Sequence, residues 1–225
     1  MPAAGGTFTL LKQATSLYVS HPGLSLIALA GAPFVILDTF SRTNLWLALL
    51  GASLWFVVLF FVLAALAYSS SELLAGRQPS ILDSYRRVAQ RYWALSGIMV
   101  AHFLGVVVPF GILIGIPLGV YLLVRWWFGL YAVVLKDVSA GEALRISSSL
   151  VKGAWWQTFG RTVAVMTAVG LSATAIGILL GPIAGYLVVV PHIIVLLLLP
   201  LPTAFYTIQF LNATGVQVTK GAASR

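Results

Sequence analysis

Charge is scarce in this chain, and its placement limits what the chain can fold into. Only eighteen of 225 residues are Lys, Arg, Asp or Glu. Most fall in two strips, Glu72 to Arg91 and Lys136 to Arg161, with a smaller one around Lys12. Between the strips run stretches of nearly unbroken hydrocarbon. A soluble domain carries about 25% charged residues; here the figure is 8%, with 60% hydrophobic residues and a mean hydropathy of +1.01. In water such a fold would expose large apolar patches. The composition points to an all-α integral membrane protein forming one polytopic domain.

Apolar stretches long enough to span a bilayer run from Leu24 to Phe40, Asn44 to Tyr68, Trp93 to Leu113, Ile116 to Leu135, Ala154 to Leu180 and Ile183 to Leu211. The 43 residues from Trp93 to Leu135 are too many for one crossing, and Gly111, Gly115, Pro117 and Gly119 mark a hairpin there. Gly181-Pro182 marks the next break, while Pro191, Pro200 and Pro202 predict a kinked last helix. Six transmembrane helices are expected. The run ending at Ala28-Leu29-Ala30-Gly31 has small residues like those of a cleavage site, yet it lacks a compact basic start. It is read as a retained span. With both termini on one side, that side holds Lys12, Arg77, Arg86, Arg87, Arg91, Lys136, Arg145, Lys152, Arg161, Lys220 and Arg225, against Arg42 alone on the other. Basic residues collect on the cytoplasmic side, so both termini are expected in the cytoplasm.

The strips have helical texture. In Ser80 to Trp93 the apolar Ile81, Leu82, Tyr85, Val88, Ala89, Tyr92 and Trp93 share a face, with Arg86, Arg87, Gln90 and Arg91 on the other. Ser80 with Asp83, and Ser139 with Glu142, read as capping-box starts. The second leads into Ala143, Leu144, Leu150 and Val151, with Arg145 and Lys152 outside. Leu10, Leu11, Ala14, Leu17 and Tyr18 form a third stretch. These are expected to be three cytoplasmic-side amphipathic interfacial helices lying in the headgroup plane. Three units of amphipathic helix and hairpin follow, at about 7–68, 79–135 and 139–212.

The segment from Arg125 to Gly160, RWWFGLYAVVLKDVSAGEALRISSSLVKGAWWQTFG, resembles the membrane domain found beside some bacterial glycerophosphodiester phosphodiesterases, and the related YciC-like family of uncharacterised inner-membrane proteins. An Arg in a span (Arg125), an acid soon after it (Asp137), and an amphipathic Glu142-Ala143-Leu144, Ser147, Leu150, Gly153, Trp156 carry the likeness. Where the family more often has Glu directly after the apolar run, this chain has Lys136-Asp137. The resemblance implies a multi-pass bacterial inner-membrane protein of undefined molecular role. The catalytic barrel of the phosphodiesterases, with its paired His and metal-binding carboxylates, has no counterpart in three His and five dispersed acids.

Arg125 is the sharpest candidate, since a charge within a span costs from about 2.5 to over 10 kcal/mol. Bonds to carbonyls or a helix-end acid, with stacking on Trp126 or Trp127, would satisfy it structurally; an anion or lipid site with His102 and His192 is the functional reading. Asp38, near the outer end of the first span, is the only plausible acid partner for the two His from that side. Arg86, Arg87, Arg91, Arg145 and Lys152 form the basic interfacial set, suited to anionic lipids. Gly160, Ala164, Ala168 and Ser172 make a small-residue stripe for close packing, expected within the bundle rather than across a homodimer. No nucleophile, base and orienting group assemble, and no Cys exists to bind metal. No enzyme, cofactor or metal is expected. The net charge of +8 is spread over helix flanks, which argues against nucleic acid. The favoured role is a non-enzymatic protein organising lipid or a protein partner at the cytoplasmic leaflet; the alternative is a small transporter or lipid carrier working at Arg125.

Overall fold

The computed structural model describes residues 6–33, 44–111, 115–184 and 190–215, which contain helices and no strand. In chain order the helices are α1 (Thr7–Ser20), α2 (Gly23–Leu29), α3 (Leu45–Leu74), α4 (Ile81–Gln90), α5 (Tyr92–His102, continuing through a π-helical turn at Phe103–Val107 to Phe110), α6 (Ile116–Arg125), α7 (Gly129–Lys136), α8 (Ala140–Val151), α9 (Trp155–Ala184), α10 (Val190–Leu198) and α11 (Pro200–Ala213). Local chemistry sets several boundaries. The Asn44 side chain accepts the Trp46 amide at the start of α3. Ser80 and Asp83 close a full capping box on α4. Ser139 accepts the Glu142 amide to begin α8. Asp137 ends α7 in the left-handed conformation, φ 64°, a role that a short polar side chain tolerates.

Five stretches among the described residues are long and apolar enough to cross a membrane: Leu50–Leu74, Tyr92–Phe110, Ile116–Lys136, Trp155–Ile176 and Ile193–Ala213. The chain is thus an all-α protein of membrane-spanning character. The expected first span, Leu24 to Phe40, is interrupted by a turn at Ala30–Gly31, and residues 34–40 lie outside the described set, as do Asp38 and Arg42. The helices on either side of Gly111 and Gly115 pack against each other, as the expected hairpin requires, with Phe110 over Gly119; residues 112–114 lie outside the described set. Gly181-Pro182 does not break the chain; α9 continues through it to Ala184. A proline late in a helix removes one backbone bond, which a membrane helix can absorb. The last span does divide, at Leu199, just before Pro200.

The packing follows a cycle. Each amphipathic helix lies against the helix that closes the preceding segment: α4 on α3, α8 on α7, and α1 on α11. The three closing helices meet in the centre. Small Ala64, Ala65 and Ala67 let α3 approach closely, and Leu130 to Val134 of α7 and Ala204 to Ile208 of α11 are likewise buried. Tyr131 and Phe128 of α7 contact Tyr206 and Phe210 of α11 through their rings, 6.2–6.4 Å between centroids. The apolar faces of the amphipathic helices therefore pack on protein: Leu10, Ala14 and Leu17 in α1, Val88 in α4, Ala143, Leu150 and Val151 in α8 are all buried.

Hydroxyls pin this arrangement. Tyr18 of α1 donates to the Leu197 carbonyl at 3.0 Å, and Tyr85 of α4 donates to the Ile27 carbonyl at 2.8 Å. Ser84 of α4 meets Ser69 of α3 at 2.6 Å and also donates to the Ser80 carbonyl, so Ser69 must be the donor of that pair. The strongest pin is Ser147. The long stretch Ile116–Lys136 is not one helix; it breaks at Trp126–Phe128. Ser147 of α8, fully buried, accepts the Phe128 amide at 3.0 Å and donates to the Arg125 carbonyl at 2.9 Å. One side chain satisfies both groups that the break leaves open.

Replacing Ser147 with Ala orphans both groups in a buried place. We expect a loss of about 1–3 kcal/mol, read as a lower unfolding midpoint in detergent, with Ser147→Thr losing less.

Tyr85 gives a second expectation. Burial pushes its hydroxyl up to about 12, from an ordinary value of 10.0. A raised pKa favours the neutral form in the folded state, so this contribution is complete below about pH 10 and is lost as pH rises toward 12. Stability measured between those limits should fall less steeply in Tyr85→Phe, which starts lower for want of the Ile27 bond.

Candidate functional site

The basic residues singled out from the sequence fall into two separate places. The first is a cleft of roughly 650 Å³ where α3, α4, α7 and α11 end together. Its apolar floor includes Leu74, Val134, Leu135 and Leu211, and Arg77, Arg86, Arg87 and Gln90 wall it with Glu72 and Asp83. Most of the charges there are already paired. Arg77 grips Glu72 in a two-bond fork at 2.5 and 2.7 Å. Asp83 is occupied by the capping box, and its hydrogen bonds from Ser80 hold its carboxyl below the usual carboxylate range, with the Arg86 charge assisting. Arg87 bonds Asp137 at 2.7 Å, and Arg91 reaches the other oxygen of the same carboxylate. Arg86 is exposed and makes no ion pair within 4 Å among the described residues. Among the described residues it is the cation of the cleft with no carboxylate within 4 Å.

Asp137 is therefore the hub of this region. Its left-handed backbone turns the carboxylate toward α4, and Arg87 of that helix and Arg91 at its C-cap converge on it. Sequence reading identified Asp137 only as part of a family likeness and did not pair it. The signal was present: it is the one acid between Asp83 and Glu142, facing a strip with three arginines. The pair is half exposed, so Asp137→Asn, which keeps the left-handed turn, should cost about 1 kcal/mol or less. A thermal melt should show a small destabilisation that shrinks further in high salt.

The second place surrounds Arg125. It stands at the last position of α6, before the break, and its side chain is exposed. Stacking on Trp126 or Trp127 is not what holds it. The guanidinium donates from Nε to the Ser148 hydroxyl and from Nη1 to the Tyr121 hydroxyl, both at 3.1 Å. It lies 5.8 Å from the centre of the Tyr121 ring. Tyr121 is itself stacked on Trp155, whose Nε1 donates to the Tyr121 carbonyl at 3.3 Å. Arg145 and Lys152 lie on the same face of α8 as Ser148, three residues before it and four after.

His102 does not join Arg125. Its Nδ1 is 2.9 Å from the Ile98 carbonyl one turn back, so that nitrogen carries the hydrogen. Its ring packs edge-on against Phe60 and against Trp126. The bond stays within α5 rather than crossing between helices. The side chain of His192 lies outside the described residues. Among the described residues no three His, Cys, Asp or Glu side chains gather as a metal site would require.

The small-residue stripe on α9 also departs from expectation. Ala164, Ala168 and Ser172 are exposed, and nothing lies within 4 Å of the position a Cβ on Gly160 would take. The buried side of α9 carries Thr158, Val165 and Ala173 instead. Ser172 and Thr174 bond back to their own helix at 2.8 Å, as short hydroxyl side chains in membrane helices can. Trp46, Trp93 and Trp156 are all largely exposed, in keeping with anchoring roles.

Compared with known proteins, the chain matches no family model, no curated protein and no solved structure.

Proposed function

We propose that this chain is a non-catalytic, multi-pass protein of a bacterial inner membrane that holds anionic lipid at the cytoplasmic leaflet. Both termini and the ends of α3, α7 and α11 face the cytoplasm in this reading, with the residues from Leu24 onward completing a sixth crossing. Kinship with the phosphodiesterase-associated membrane domains belongs to the same proposal and rests on the Arg125 to Gly160 segment.

The observation that carries it is Arg86, without an ion-pair partner among the described residues, above an apolar-floored cleft. A phosphate headgroup would sit against Arg86 and Gln90, and its acyl chains would follow the leucines of the floor. Exposed Leu82 and Trp93 on either side of the arginine strip support placing α4 at the leaflet surface. The amphipathic helices grip the leaflet edgewise, with one face on protein and outer residues such as Phe8 and Leu82 reaching lipid. Neither this cleft nor the shallow one along α1, lined by Phe8, Leu11 and Val19, includes His102 or Arg125.

The test is charge reversal at Arg86. Short-chain phosphatidylglycerol titrated onto the full chain in non-ionic detergent should bind Arg86→Glu several-fold more weakly. The scale is set by about 1 kcal/mol per basic residue at an anionic surface. Phosphatidylcholine should show no such difference. Equal phosphatidylglycerol affinity in wild type and variant would sink the proposal.

A further inference from the structure

Arg125 is a different case from the arginines of α4. It falls inside the stretch Ile116–Lys136, which is long and apolar enough to cross a membrane, yet its side chain points outward. Leu118 and Tyr121, the other outward residues of α6 on that face, are half exposed. Arg77, Arg87, Arg91 and Arg145 each have a carboxylate within 4 Å, whereas Arg125 has none among the described residues. Two neutral hydroxyls orient its guanidinium without offsetting the charge. Of its five N–H groups, three remain for a further acceptor.

The surroundings have one chemical character. Lys152 follows Ser148 by one turn, its amide still bonded to the Ser148 carbonyl at 3.1 Å, and it too lacks a carboxylate within 4 Å among the described residues. Arg145 stands one turn before, 80% exposed and only 3.7 Å from Glu142. Tyr121, Trp155 and the largely exposed Trp156 form an aromatic wall beside them. The Arg125 guanidinium, its two hydroxyl partners and the stacked aromatic wall thus meet at the outer surface of a span, with Arg145 and Lys152 one turn to either side of Ser148. A guanidinium in that setting calls for an anion, and the described residues supply none within 4 Å.

We infer that Arg125, with Lys152 and Ser148, forms a lateral site for a phosphate ester, distinct from the Arg86 cleft. Tyr121 and Ser148 hold the guanidinium planar and outward, so that its remaining N–H groups present a fork to two phosphate oxygens. Lys152 adds a second charge from α8. Trp155 and Trp156 would flank the glycerol region, as aromatic residues do at membrane interfaces. The phosphate comes either from a bilayer phospholipid or from a free phosphomonoester. The site does not depend on the cleft, because no residue is shared.

The experiment uses the full chain in non-ionic detergent, with lipid retention counted by native mass spectrometry. Wild type should retain two phosphatidylglycerols, of which Arg125→Gln loses one about tenfold more readily and Arg86→Glu loses the other, so that the double variant retains neither. Lys152→Gln should weaken retention by a smaller factor. Diacylglycerol, which lacks the phosphate, should not distinguish wild type from Arg125→Gln. Displacement of the lipid by millimolar inorganic phosphate would assign the site to free phosphate; resistance would assign it to the bilayer lipid; both support a phosphate site. Equal retention by wild type and Arg125→Gln would overturn it. Should Arg125→Gln fail to fold, a photoactivatable phosphatidylglycerol applied to wild type decides. Adducts within 116–128 or 146–161 support the site, and adducts absent from both overturn it.

Discussion

One serine side chain holds open a break on which the middle of the bundle depends. Ser147 bridges the Arg125 carbonyl and the Phe128 amide, and so lets a spanning segment change direction without leaving polar backbone unsatisfied in an apolar setting. Because of that turn, α6 ends with Arg125 outward while α7 enters the core with Tyr131 inward. The same contact fixes α8 against α7, which places Ser148 beside Arg125 and carries Arg145 and Lys152 onto the same face. A helix running straight through Trp126–Phe128 would have no need of α8 at that point.

Around this centre the amphipathic helices act as clasps. Their apolar faces are neither long nor hydrophobic enough to be spans, and they gain burial by lying along a neighbour's closing helix. Hydroxyl pins then fix the register: Tyr18 on the Leu197 carbonyl, Ser84 with Ser69, Ser147 across the break. In membranes, where lipid is as apolar as leucine, packing and such bonds carry helix association. Gly105 shows how tight the resulting contacts are: a side chain there would run into the Trp126 ring.

Much of this was legible in the sequence, and the failures share one cause. Five of the six expected spans, the turn near Gly111 and the Ser80 cap depend on local composition, so reading along the chain finds them. Asp137 as a double acceptor, Ser147 as a bridge and the open small-residue face of α9 depend on which helices meet, and composition does not encode that. A trace of Ser147 was nonetheless present. It is a polar residue on the apolar side of α8, in line with Ala143 and Leu150, where a leucine would serve burial better. Arg125 was recognised as anomalous, but its partners were guessed from sequence neighbours, when they lie one helical turn back and on the following amphipathic helix. Gly181-Pro182 was overread, since the same dipeptide that ends soluble helices is accommodated here.

The pairing of α1 with α11 sets an order of events in synthesis. Of the described helices, α1 leaves the ribosome earliest and takes as its main partner α11, which leaves latest. At about 5–20 residues per second, the intervening chain takes some tens of seconds to appear. During that interval α1 has its Leu10–Ala14–Leu17 face uncovered, while α4 and α8 find their partners already made. Until α11 arrives that apolar face needs another cover, and the bilayer surface on which the neighbouring spans are assembling can supply it.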